Sequence, residues 1–282
     1  MRGSSGARLV ETAESVFKRD TEVTGTRVRD QGIWLSQHEE STLLPAVHSI
    51  YHDGYEMEKI VIPDLPKTWH DVRGLCAEVL LELDQLWFAE FTGRVPDLVV
   101  IDEYDHRSYV TELLRDVGLR QLRRQLHGFA DRINWHCLEV GRTHGDSIID
   151  NLGYRSADSE FRRGRQLVLL DPIPACPALP DVVALDVGRV IQSAAGYEAA
   201  RYVGVGQTQL FTVPLVERVE YVLNTWMGPG DFDINEARAA LHFSIIHMLR
   251  GLRTAQRGHH AGAVGVKRLV NDLVEVTATW MR

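Results

Sequence analysis

Apolar and polar positions alternate in short runs at the start of the chain. Residues 8–12 (Arg-Leu-Val-Glu-Thr) and 15–19 (Ser-Val-Phe-Lys-Arg) read as two strands joined by a turn at Ala13 and Glu14. A helical stretch over 26–38 follows. Two further extended runs, 46–51 and 55–62, are joined at Asp53-Gly54, a hairpin signal. Pro63 and Pro66 close this region. Beyond residue 66 the apolar period changes from two to three and four. Val72, Leu75, Val79, Leu83 and Leu86 predict an amphipathic helix over 69–92. A second helical pattern, 107–137, is interrupted near Gly118. Loops and short strands occupy 142–172. Three helices follow, over 214–227, 234–253 and 263–281, the last two separated by a polar turn at 257–262. A small β-rich part, 1–62, before a large helical part, 63–282, predicts an α+β protein of two lobes.

The 282 residues suffice for two lobes with a continuous core. A formal net charge of −8 disfavours a nucleic-acid partner, which needs clustered Lys and Arg, and is compatible with a cationic substrate. Cys76, Cys137 and Cys176 are odd in number and lack CxxC spacing, so neither a disulfide framework nor a zinc site is expected. Cys76 and Cys137 lie in helical apolar patterns and read as buried thiols. The first ten residues are polar and glycine-rich rather than an apolar leader, and the apolar run 167–170 is far short of a membrane span. A reducing, cytoplasmic setting without a membrane partner is therefore expected. His242 and His247 are five apart and do not form a metal-ligand pair. Asp102 to Asp105 reads as an exposed acidic loop, and no GxSxG nucleophile motif occurs.

The chemistry concentrates in Thr143-His144-Gly145-Asp146-Ser147-Ile148-Ile149-Asp150-Asn151. Asn151 stands five residues after Asp146. Asp171 follows the apolar strand 167–170. Phosphoryl transfer needs one carboxylate at the substrate hydroxyl and two oxygen-bearing side chains on Mg²⁺. A short loop and a strand end can bring three such groups to one centre.

These residues resemble the kinase-like phosphotransferases: aminoglycoside phosphotransferases, choline kinases and related metabolite kinases. Their catalytic loop reads His-Gly-Asp-x-x-x-x-Asn and their metal-binding Asp follows an apolar strand. The resemblance is firm over 140–200 and looser over 3–62. It implies a two-lobed protein-kinase-like fold and transfer of the γ-phosphoryl group of ATP to a hydroxyl of a small molecule. Asp146 would take the hydroxyl proton, Asn151 and Asp171 would ligate Mg²⁺, and His144 would brace the loop. Gly3, Ser4, Ser5 and Gly6 would cover the nucleotide phosphates. Lys18 would reach the α and β phosphates, paired with Asp30 in a stretch that resembles the family's Arg-Glu-Ala-x-x-Leu. Met57 would line the adenine pocket, core packing being the alternative, and backbone near Glu58 to Ile60 would face the base. Asp186 would brace the catalytic loop, and Asp181 reads as a helix cap. The segment from Ile191 to Glu198 is nearest to a branch of sugar or polysaccharide-precursor kinases reading Lys-Leu-x-x-Ser-x-x-Gly-Tyr-Glu. An aminoglycoside-type antibiotic kinase and a nucleotide-binding scaffold without turnover stay open as alternatives.

Overall fold

The computed structural model describes residues 7–21, 25–88, 98–155, 166–173, 175–203, 212–228, 233–257 and 262–282. Gly3, Ser4, Ser5 and Gly6 lie outside the described residues. The alternating runs form β1 (Arg8–Glu11), β2 (Ser15–Arg19), β3 (Val47–Tyr51) and β4 (Gly54–Glu58). They pair antiparallel in the order β1-β2-β4-β3. The β3–β4 turn is His52-Asp53, one residue before the expected position. Helix α1 (Arg27–Ser36) packs on β3 and β4 and covers one face of this sheet. Asp20 accepts the Val28 and Arg29 N–H groups at 2.8 and 3.1 Å, so the cap of α1 comes from the end of β2.

The rest is mainly helical: α2 (Trp69–Trp87), α3 (Glu103–Asp116), α4 (Arg123–Ala130), α5 (Val183–Ala194), α6 (Leu215–Met227), α7 (Ile234–Arg257) and α8 (Ala263–Trp280). The interruption expected near Gly118 is real; that glycine takes φ +70° and separates α3 from α4. The acidic stretch starting at Asp102 is a helix start rather than a loop, because the Asp102 carboxylate accepts the Tyr104 and Asp105 N–H groups. Cys76 is buried as expected, but Cys137 is exposed in a short 3₁₀ turn, Trp135–Cys137, outside any amphipathic helix.

All twelve residues of α5 are buried, and α5 packs against α7, α2 and α6. It approaches α7 closely because Gly188 has no side chain. A Cβ there would lie 2.9 Å from the Ala240 carbonyl and the Ser244 nitrogen. Between α4 and α5 the chain forms a two-stranded hairpin, β5 (Leu152–Arg155) with β6 (Gln166–Leu169). Asn151 precedes β5 and Asp171 follows β6 by one residue. Leu170 N–H donates to the Asn151 carbonyl at 2.8 Å, so pairing of the strands brings the two side chains to one end. Val61 and Tyr154 exchange backbone hydrogen bonds of 3.0 and 2.9 Å, which ties the chain leaving β4 to this hairpin. Among the described residues no helix is long and apolar enough to cross a membrane.

Candidate active site

The loop from Thr143 to Asp146 is organised around Asp186 on α5. Its carboxylate accepts the backbone N–H groups of His144 and Gly145, both at 2.8 Å, the Trp87 indole N–H at 3.0 Å and the Ser147 hydroxyl at 3.1 Å. Full burial raises the Asp186 pKa, and these donors work against that shift. Gly145 takes φ +73°, and a Cβ would collide with the Ile173 carbonyl, so the middle residue of His-Gly-Asp must be glycine. His144 is fully buried, its ring edge-on to Trp34 at 6.0 Å. Burial lowers its pKa to about 4, which leaves the imidazole neutral at pH 7. Its carbonyl accepts the Ile173 N–H at 2.9 Å. His144 therefore braces the loop through its backbone.

This bracing presents Asp146 to a cleft. One oxygen of Asp146 meets the Arg189 guanidinium at 2.8 Å. Arg189 is itself fixed by bonds to the Gly145 carbonyl (3.1 Å) and the Gln192 amide oxygen (2.8 Å). Asn151 donates through Nδ2 to the Asp146 carbonyl at 2.9 Å, which turns its Oδ1 away from that bond. Asp171 stands in the left-handed region at φ +60°, a conformation that costs about 1–3 kcal/mol at a non-glycine residue and must be held by its surroundings. Lys18, buried on β2, forms an ion pair with the Asp171 carboxylate. The sequence thus pointed to four residues, Lys18, Asp146, Asn151 and Asp171, that the fold gathers around one centre.

Asp30 is corrected. Its carboxylate accepts the Thr26 hydroxyl at 3.0 Å and faces solvent. The Lys18 ammonium instead donates to Gln31 Oε1 at 2.9 Å, and Gln31 Nε2 donates to the Pro172 carbonyl at 2.9 Å. Adjacent helix positions diverge by about 100°, and only Gln31 lies on the buried stripe Val28, Gln31, Gly32, Leu35. Asp181 is also corrected: Val182 occupies the cap position of α5, and Asp181 accepts the Val99 N–H (2.9 Å) and the Thr143 hydroxyl (3.1 Å).

Met57 is buried opposite Val16. The Glu58 side chain accepts the Ala46 N–H at 2.9 Å and an Arg155 fork at 2.6 and 2.9 Å, so it joins the sheet to the β5–β6 hairpin. Ile60 packs against Gly153.

The structure adds residues that the sequence reading did not single out. Arg189 stands three positions after Asp186, one helical turn away on the same face. Tyr197, Arg201 and Arg250 line the same cleft as Asp146, Asn151 and Asp171. Its wall also carries Asp150, which is close to the buried Glu198. Burial raises the Asp150 pKa, and burial followed by Asp150 pushes Glu198 up to about 7. Glu198 accepts the Ser193 hydroxyl at 2.6 Å.

No family model matches the sequence, and no curated protein matches it by sequence. Solved structures do match by fold. Choline kinase LicA from Streptococcus pneumoniae superposes with a TM-score of 0.60 at 11% identity, over 98% of this chain and 92% of that one. A Plasmodium vivax ethanolamine kinase gives 0.58 at 11% identity, over 96% and 81%. The streptomycin–ATP–APH(2")-IIa ternary complex gives 0.53 at 13% identity, over 96% and 92%. The chain has the two-lobed, kinase-like fold of these proteins, with a small antiparallel sheet and a large helical lobe.

Proposed function

We propose that this chain is an ATP-dependent phosphotransferase acting on a hydroxyl of a small molecule. The observation that carries the proposal is the convergence of Asp146, Asn151 and Asp171 on one cleft, with Lys18 of the sheet paired to Asp171. The fold likeness supports it, since the matching proteins include choline, ethanolamine and antibiotic kinases. Residues 1–62 would form the nucleotide lobe and 63–282 the lobe that holds the acceptor.

The residues suit the group they would hold. Asn151 Oδ1 and the Asp171 carboxylate are hard oxygen donors of the kind Mg²⁺ takes, and the Lys18 ammonium is a point charge fit for phosphate oxygens. ATP supplies the phosphoryl group and Mg²⁺ neutralises its charge. Arg189 occupies one oxygen of Asp146, which leaves the other to orient the acceptor hydroxyl and accept its proton. Asp186 fixes the loop in advance, so little rearrangement is needed at the moment of transfer. Met57 and the backbone from Glu58 to Ile60 would line the adenine site, and Gly3 to Gly6 would lie over the phosphates.

Turnover of ATP against alcohols, sugars and amino sugars tests the reading. Product formation by the wild type, lost in Asp146→Asn, supports it; equal product from both proteins overturns it. The amide of Gln31 in place of an acid beside Lys18 favours a second reading, a nucleotide-binding protein without turnover. ATP binding with no product from any acceptor would establish that one.

A further inference from the structure

The geometry points to an acceptor that carries an oxyanion, carboxylate or phosphate, held by Arg250 and Arg201 on the helical side of the cleft. This rests on the phosphotransferase reading and adds to it the chemical class of the substrate.

Five arginines line the cleft: Arg27, Arg189, Arg201, Arg250 and Arg253. They face three carboxylates, each already engaged. Asp146 is taken by Arg189 and Asp171 by Lys18. Asp150 stands 3.9 Å from Arg201 and also bonds the Tyr202 hydroxyl. Arg253 is 3.6 Å from Asp116, which Arg257 shares at the same distance. Arg250 differs. Its partner is the Nδ1 of His247 at 3.4 Å, and that ring is neutral, because burial holds its pKa well below the usual value while its Nε2 meets the Leu185 carbonyl. Among the described residues Arg250 therefore brings a charge without a carboxylate partner to the cleft that holds Arg189 and Asp146. Burial lowers the Arg189 pKa to about 10; Asp146 opposes that shift and Arg250 adds to it. Two neighbouring guanidinium groups repel, and an anion between them removes that cost.

The site is shaped as well as charged. Gly251 makes room for the Tyr197 ring, with which a Cβ at that position would collide. Tyr197 and Tyr202 flank the Arg201 guanidinium at 5.8 and 4.8 Å, and Arg201 donates to the Tyr197 hydroxyl at 3.2 Å. Arg201 is thus fixed before any ligand arrives, and its planar fork matches a carboxylate or phosphate. These groups come from α7 and from the π-helical turn Ala199–Val203, both in the helical lobe. The residues suited to ATP and Mg²⁺, by contrast, are Lys18 on the sheet and the two ends of the β5–β6 hairpin. The whole chain carries −8, so a cationic wall here is not its average surface. A cationic acceptor, with which that net charge alone is compatible, would be repelled by this wall.

The test compares ATP turnover on anionic hydroxy compounds (glycerate, gluconate, glycerol 3-phosphate, glucose 6-phosphate) with neutral glycerol and glucose and with cationic choline and ethanolamine. The carboxylate and phosphate arms separate the two sources of the oxyanion. One anionic arm should exceed its neutral counterpart in kcat/KM by about tenfold to a hundredfold, the range for charge-assisted hydrogen bonds. Arg250→Gln and Arg201→Gln should raise the acceptor KM by a similar factor, with the ATP KM unchanged and Arg250→Lys intermediate. Preference for choline or glycerol overturns the inference, and so does an Arg250→Gln defect confined to ATP. If ATP binds and no acceptor turns over, calorimetry of the same anions on the ADP-loaded protein decides. Binding lost in Arg250→Gln supports the inference, and no binding to the wild type overturns it. Failure of the phosphotransferase reading looks different: ATP is consumed with none of the acceptors, whatever the calorimetry of the anions shows.

Discussion

The sheet side and the helical side of the cleft hold their charged groups by different means. On the helical side, Asp186 accepts four donors and Arg189 spreads its fork over Asp146, Gly145 and Gln192, all on elements buried against α7 and α2. On the sheet side, Lys18 has one amide and one carboxylate, and the strands β1 and β3 that flank its sheet are largely exposed. The helical side is preorganised by redundant bonds. Lys18 itself reaches the helical lobe through two partners, Asp171 directly and Gln31, which continues to the Pro172 carbonyl.

Three substitutions break or sharpen this contrast. Asp146→Asn removes the proton acceptor and should lower kcat by about 10²–10⁴-fold, the range for a general base, while the melting temperature stays near wild type. An unchanged kcat would remove the chemistry from the helical side. Asp186→Ala strands buried donors and should cost roughly 3–5 kcal/mol in urea unfolding, with turnover lost as the loop slackens. Gln31→Leu should cost less stability, about 1–3 kcal/mol, and show mainly as a raised KM for ATP. A loss equal to that of Asp186→Ala would erase the contrast between the two sides.

The smallest effect lies away from the cleft. His106 and His242 meet through their Nε2 atoms at 3.0 Å, so one of these two nitrogens must stay unprotonated to accept from the other. Burial lowers the His106 pKa to about 4 and that of His242 well below its ordinary 6.5. From pH 6.5 down to about 4 the unfolded chain binds these protons and the folded one does not, so stability falls as pH falls. Glu198 and Glu236, both raised by burial to about 7, act the other way between pH 4.5 and 7. His242→Gln should make the acid loss shallower by up to about 1.4 kcal/mol per pH unit, with kinetics at pH 7.5 unaltered. An unchanged slope in pH-dependent unfolding would show that this pair does not titrate on unfolding.

The loop residues were legible in the sequence because the spacing is local: five residues separate Asp146 from Asn151, and Asp171 follows a run of four apolar residues. Both lobes were legible from the change of period near residue 63. Helix α5 was not, because it is buried on every side: its polar face, with Asp186, Arg189, Gln192 and Ser193, lies inside as deeply as its apolar one. Asp30 was preferred to Gln31 because charge was weighed above register; the buried stripe of α1 would have selected Gln31. The cluster of Arg201 and Arg250 could not be read, since its members are far apart in sequence and meet only because α7 packs on α5.

The paired bonds between Val61 and Tyr154 also limit how the molecule can move. From residue 61 onward the connector is already part of the helical lobe. A rocking of the sheet over the cleft must then bend the two residues between the end of β4 and that clasp, Lys59 and Ile60, and loosen the Glu58–Arg155 pair. The pivot and the proposed adenine contact would be the same stretch of backbone, so a bound base would stiffen the joint on which the lobes turn.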